Sequence, residues 1–289
     1  DDGWIISNMK QAVTPETIKE LMVDTYEGSP IDAVSWCVGN GEVYQFETKV
    51  GERFGEGEDF EVCEQDPHYW AKKNLQDLTD TCGGPMTEIT RQFDDAGIDL
   101  FPSMRMNSHY EIDYASPGHG KFRREHPDWL IGQPYEEIPF PTVENAIARG
   151  LDYKFPGVRE HILSVVIELI ERFDVAGIEL DYFRHPAFFR VEEAYSNRYL
   201  MTDFVRQIRQ RLDEVGKDRG KHGCGSRSAR SAHTAGSPLD CCVVTRLSPG
   251  PLVRAAIRGV DLSRASVRDV SLSRASCQDH RPDRSVRQP

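Results

Sequence analysis

The chain has 289 residues, 38% hydrophobic and 28% charged, with a formal net charge of −12, enough for one large domain or two small ones with a real core. The charge is uneven: residues 1–218 hold 22 Lys and Arg against 42 Asp and Glu, whereas residues 219–289 hold 13 against 5. So acidic a body excludes a nucleic-acid surface, because phosphate backbones are held by Lys and Arg, and no apolar run of about 18 residues predicts a membrane span. Neutral substrates fit this body better. Its cysteines, Cys37, Cys63 and Cys82, are odd in number and widely spaced, without zinc-like pairing; no structural metal and no cofactor is expected. A start at Asp1 is compatible with a removed signal peptide, hence a secreted or periplasmic protein, or with trimming.

In chain order, Trp4 to Met9 reads as a first strand. Thr14 as N-cap and Pro15 at the first helical position then open a helix, with Ile18, Leu21 and Met22 on one face. Ile31 to Val38 is a second strand, ended by Gly39-Asn40-Gly41 and followed by a long acidic loop to about Gln65. Asp66-Pro67 opens helical sequence that runs, with a break near Gly83-Gly84-Pro85, to Phe93. The third strand is Ile98 to Met104. A second long connection, from about Arg105 to Pro156, precedes the clearest helix, whose stripe of Ile162, Val165, Val166, Leu169, Ile170 and Phe173 follows the 3.6-residue period. A fourth strand and a helix from about Val191 to Val215 complete four βα units, the helix facing Leu200, Met201, Phe204, Val205, Ile208, Leu212 and Val215 inward.

That alternation predicts an α/β fold, either an open doubly wound sheet or a (β/α)8 barrel. No glycine-rich phosphate fingerprint follows Trp4 to Met9, which weakens the nucleotide-binding form. Both long loops follow strands, where barrel enzymes build their sites. The segment Phe93-Asp94-Asp95-Ala96-Gly97-Ile98-Asp99-Leu100 repeats the pattern of Phe173-Asp174-Val175-Ala176-Gly177-Ile178-Glu179-Leu180; each copy is expected to close a helix at its Gly and open a buried strand.

The fourth strand ends in Glu179-Leu180-Asp181-Tyr182-Phe183-Arg184-His185-Pro186. Alternation puts Ile178 and Leu180 on one face and Glu179 and Asp181 on the other, so Asp181 stands at the carboxyl end of a barrel-type strand. It either does chemistry there or caps the next segment and pairs with Arg184.

After about Lys221, Ser, Arg, Ala and Gly dominate, and Leu-Ser-Arg-Ala-Ser occurs at Leu262 and again at Leu272. Residues 221–289 read as a basic tail, disordered or frame-shifted, leaving residues 1–220 as the N-terminal part of a TIM-barrel domain with only the first four βα units present.

Four segments together, Arg105-Met106-Asn107-Ser108-His109, His126-Pro127-Asp128-Trp129, Leu151-Asp152-Tyr153 and Gly177 to Pro186, resemble the glycosyl-hydrolase-like family 10 group of TIM-barrel proteins. The resemblance covers about residues 1–220 and implies a hydrolase acting on a poly- or oligosaccharide, with Asp181 as nucleophile or stabilising carboxylate. Glycoside cleavage commonly pairs two carboxyls. The partner acid of related barrels comes from a later strand, where this chain has its unmatched tail, so the chain is expected to be inactive unless another acid serves. Glu179, deeper on the same face, fits a structural or tuning role. Arg105, Asn107 and His109 either hydrogen-bond sugar hydroxyls and orient Asp181, or anchor loops. Trp129, Tyr182, Phe188 and Phe189 either stack on sugar rings or pack in the core. His185 is an acid–base candidate or a turn residue. Two further readings stay open: a non-catalytic carbohydrate-binding protein, and a metal-dependent hydrolase using Asp181, His185 and His109. The sugar, the linkage and the oligomeric state are undetermined by the sequence.

Overall fold

The structure is a computed structural model that describes residue 6 and residues 9–56, 68–109, 120–182, 186–219 and 242–246. Its centre is a mixed sheet. Strand β1 (Ala33–Gly39) leads into two short strands, β2 (Val43–Tyr44) and β3 (Glu52–Arg53), followed by β4 (Asp99–Arg105), β5 (Gly177–Asp181) and β6 (Cys242–Arg246), in the spatial order β3-β2-β1-β4-β5-β6. β1, β4, β5 and β6 are all parallel, and only the β1–β2 pairing is antiparallel.

The four parallel strands lie side by side in chain order. Crossovers between parallel strands are right-handed in nearly all proteins, so an order that never reverses carries every crossover over the same face. A doubly wound sheet instead reverses at a switch point. The arrangement is a mixed α/β fold compatible with part of a (β/α)8 barrel. The covered face is apolar: Val34, Trp36, Val38, Leu100, Met104, Ile178 and Leu180 are buried in one cluster with helix residues Ile162, Val165, Val166 and Leu169.

The helices follow from local chemistry. Thr14 caps α1 (Pro15–Ile18) by accepting from the Thr17 amide at 3.3 Å. The chain then continues as a π turn, Lys19–Val23, and a 3-10 turn, Asp24–Tyr26. The wider π turn rotates the following side chains off the 3.6-residue stripe. Met22 and Val23 are therefore buried and Leu21, expected inward, is 46% exposed. Helices α2 (Tyr69–Cys82) and α3 (Pro85–Ala96) are separated at Gly83-Gly84, as the sequence indicates. The 106–155 connection carries α4 (Lys121–Glu125), a 3-10 turn at Pro127–Trp129 and α5 (Val143–Ile147). Then come α6 (Pro156–Arg172) and α7 (Ala194–Asp218). Along α7 the predicted stripe is realised at Met201, Phe204, Ile208, Leu212 and Val215, all buried.

Three further expectations change. The repeated Phe-Asp-x-Ala-Gly pattern is used in two ways. Gly97 ends α3 in the left-handed region at φ 72°, and the Ile98 amide donates back to Phe93 O at 3.0 Å. Gly177 instead begins β5, because α6 has already stopped at Arg172 with Phe173 extended. The first predicted strand falls mostly outside the described residues, and Ile6, which is described, is helical and buried. The third change lies beyond residue 220, where no strand was expected. There β6 pairs with β5 in unbroken register from Gly177↔Cys242 to Asp181↔Arg246; the Cys-Val-Val-Thr run has the β-branched character of an inner parallel strand. The rest of the tail lies outside the described residues.

Candidate functional site

The face of the sheet opposite the helices is polar, and the strand register arranges its side chains in rows. Cys37, Ser103 and Glu179 are register partners across β1, β4 and β5, and all three are buried. One step nearer the carboxyl ends, Arg105 pairs with Asp181, both half-buried. Parity makes this arrangement: residues 179 and 181 point to one side, 178, 180 and 182 to the other. The same parity places Tyr182 among the helices, 4% exposed, with its ring edge-on to Phe188 at 5.2 Å. Phe188 and Phe189 are buried as well. The sugar-stacking role considered for Tyr182, Phe188 and Phe189 is therefore corrected to core packing.

Cys37 reports the composition of the cluster. Burial pushes its thiol up, the Arg105 guanidinium opposes that rise and the Asp181 carboxylate adds to it. The raised value keeps the sulfur protonated and unreactive.

Asn107 serves as a hub behind Asp181. It is 1% exposed, its amide donates to Leu151 O and Ala187 O, both at 2.9 Å, and its carbonyl accepts from the Ser108 and Leu151 amides, also at 2.9 Å. All four hydrogen-bonding positions of the side chain are used on backbone, which is the loop-anchoring alternative. His109 joins it, its Nε2–H donating to the same Ala187 carbonyl at 3.0 Å. Burial lowers the His109 pKa to about 4 although that hydrogen bond opposes it. The backbone adds further ties: the Met106 amide to Asp181 O at 3.1 Å, and the Tyr153 amide to Phe188 O at 2.8 Å. The Tyr153 hydroxyl donates to Met106 O. Three separate segments, 105–109, 151–153 and 186–188, are thereby fastened around the end of β5. Arg184 and His185 lie outside the described residues.

Trp129 is half-buried, its ring stacked on His126 at 3.8 Å and parallel to Phe155 at 5.9 Å.

Glu42 and Arg123 were not anticipated. They form an ion pair at 3.2 Å with side chains 0% and 1% exposed, and Arg123 also donates to Ser108 O at 3.2 Å. Glu42 follows directly on the Gly39-Asn40-Gly41 turn. There Gly41, at φ 82°, brings the backbone so close to Arg105 O and Met106 O that a Cβ would lie 3.2 and 3.3 Å from them. An acid just after a glycine turn at a strand's carboxyl end was the available signal. Arg123 gave none, since the five residues of α4 are too few for a periodicity.

Among the described residues, no group of three or more His, Cys, Asp or Glu side chains is placed to hold a metal ion, and no helix is long and apolar enough to cross a membrane.

No protein-family model matches the chain, and no curated protein matches it. Solved structures similar to it are glycoside hydrolases. Alpha-L-fucosidase isoenzyme 2 from Paenibacillus thiaminolyticus matches at 12% identity and TM-score 0.42, over 74% of this chain and 29% of that one. An alpha-amylase from Lactobacillus plantarum matches at 12% identity and TM-score 0.36, over 75% and 42%. The GH36 alpha-galactosidase AgaA from Geobacillus stearothermophilus matches at 15% identity and TM-score 0.30, over 48% and 19%. The chain spans less than half the length of each.

Proposed function

We propose that this chain is a glycoside-hydrolase-like protein of the (β/α)8 type that takes a neutral poly- or oligosaccharide, with Asp181 as nucleophile or stabilising carboxylate. The observation that carries this reading is the position of Asp181: the last residue of an inner parallel strand, half-buried, in register with Arg105 above a buried polar row. Active sites of barrel enzymes lie at that end of the strands. The order of the described parallel strands and the motif resemblance point the same way. Arg105 would hold Asp181 in orientation, and Asn107 and His109 would hold the loop that follows it.

Two-carboxylate cleavage places its acid and its nucleophile or base about 5 to 9.5 Å apart with access to the glycosidic oxygen. Glu179 is on the correct face but only 1% exposed, which suits a supporting group beneath Asp181 better than a proton donor to a leaving group. That burial favours a second reading, a carbohydrate-binding protein without turnover. In the metal-dependent alternative His109 would ligate through Nδ1, since its Nε2–H donates to Ala187 O.

The test is hydrolysis and binding measured together on a panel of neutral glycans with the parent chain and Asp181→Asn. Turnover by the parent that is lost in the variant while binding persists supports the enzyme. Binding by both without turnover supports the second reading, and equal turnover by both removes Asp181 from catalysis. Resequencing the coding DNA across residues 210–235 tests the accompanying proposal that residues 1–220 form the N-terminal part of a barrel domain and that the natural continuation differs from the tail.

A further inference from the structure

Residues 131–150 form an ordered excursion ahead of α6. At its base the Ile131 amide donates to Gly150 O at 2.8 Å and the Gly132 amide to Ala148 O at 2.7 Å, beside an antiparallel bridge between Leu130 and Leu151. Within it the Glu136 amide donates to Gln133 O at 3.1 Å and Asn145 Nδ2 to Ile138 O at 3.0 Å, while Thr142 caps α5 by accepting from the Asn145 amide at 3.2 Å. A two-armed ion pair of Glu136 with Arg190 ties the excursion to the segment just before α7. So fastened, it holds Tyr135 85% and Phe140 84% exposed. The first turns of α7 add Tyr195 and Tyr199, 66% and 62% exposed and one turn apart on the helix surface. Single exposed apolar residues are ordinary. Here the four most exposed large apolar side chains among the described residues all stand on two segments that one ion pair joins.

We propose that Tyr135, Phe140, Tyr195 and Tyr199 form a platform on which a neutral polysaccharide chain lies, beside the Asp181 end of the sheet. The choice of occupant rests on the glycosidase-like reading above and deepens it. Continuity supports it: Leu151, at the base of the excursion, is held by Asn107, and Arg190 follows Ala187 and Phe188, whose carbonyls tie the loops around β5. The chemistry agrees, since exposed rings offer flat apolar faces to the C–H faces of sugars and the phenols add a hydrogen-bonding edge. Rings with two side-chain torsions, on a loop already hydrogen-bonded, lose little freedom on binding; Arg198, lying over the Tyr195 ring at 4.0 Å, steadies it. Charge excludes the competitors. Glu137 and Glu144 are exposed on the same excursion, and Glu192 is 68% exposed just before α7. Carboxylates there repel an acidic polymer, an anionic membrane surface and the same face of a second copy, but not an uncharged chain.

Affinity electrophoresis of the full chain through gels containing amylose, galactomannan or xyloglucan tests this. At least one polymer should retain the parent. Tyr135→Ala, Phe140→Ala, Tyr195→Ala and Tyr199→Ala should each weaken that retention by about 3- to 10-fold, with unfolding curves unchanged because all four side chains are exposed. Asp181→Asn should be retained as the parent is. Retention of the parent and of all four ring variants alike overturns the platform and leaves the glycosidase-like reading standing. Retention of the parent by none of the polymers also overturns the platform, while turnover of short glycosides still judges that reading separately. Self-association of the parent in sedimentation that Phe140→Ala abolishes assigns the surface to a second copy and overturns the proposal.

Discussion

Replacing Asn107 by Ala should destabilise the protein by about 3–5 kcal/mol. The side chain is 1% exposed and makes four hydrogen bonds of 2.9 Å, all to backbone. A made hydrogen bond contributes about 1 kcal/mol net, but a buried group left unpaired costs about 1–3 kcal/mol. Truncation strands three such groups, the Ser108 and Leu151 amides and the Leu151 carbonyl, while the Ala187 carbonyl keeps the His109 Nε2–H. A water entering the vacated space would recover part of the loss, which brings the sum down to the stated range, still a large share of a typical domain's stability of about 5–15 kcal/mol. The assay is urea denaturation followed by tryptophan fluorescence. Asn107→Asp is the control. It still accepts from the two amides but turns a carboxylate oxygen toward two carbonyls, so it should cost at least as much. If both variants unfold within about 1 kcal/mol of the parent, the hub argument is wrong. A variant of full stability that has lost only glycan binding would return Asn107 to the substrate-contact role.

Other outcomes follow from the same structure. Gly97→Ala should cost about 1 kcal/mol, read by thermal unfolding; at φ +72° with nothing within 4 Å of the added Cβ, the cost is purely conformational. Gly157→Ala should cost more, because its Cβ would lie 2.4 Å from the Trp129 ring, and a smaller loss than at Gly97 would refute the packing of Trp129. Glu47→Ala removes a carboxylate that accepts from the Met86 and Thr87 amides at 3.0 and 2.8 Å; losing this cap of α3 should cost about 1–2 kcal/mol by denaturant titration. Stability should also fall with acid. His109 and His161 have folded-state values near 4, below the ordinary 6.5, so the unfolded chain takes up protons first, and up to about 3 kcal/mol per imidazole is lost between about pH 6.5 and 4. In a series of unfolding curves across that window, His161→Phe should flatten the slope; an unchanged slope would remove His161 from the account.

The sequence by itself determined what depends on short-range pattern. The stripe of α6, the Gly83-Gly84 break, the Thr14 cap and the existence of the strands that end near Met104 and Asp181 are local matters, governed by backbone sterics, capping and side-chain period. The alternation around Asp181 likewise placed Glu179 and Asp181 on one face. Tertiary structure alone decided which side chains meet. That Asn107 reaches Leu151 and Ala187, that Glu42 finds Arg123 and that Tyr182 is core are set by how distant segments pack. Even Leu21 was misread, because one π turn shifts its face. The strand at Cys242–Arg246 is the clearest instance: its Cys-Val-Val-Thr run is β-branched, but five residues in a Ser- and Arg-rich stretch do not name their partner, which the ladder of β5 supplies.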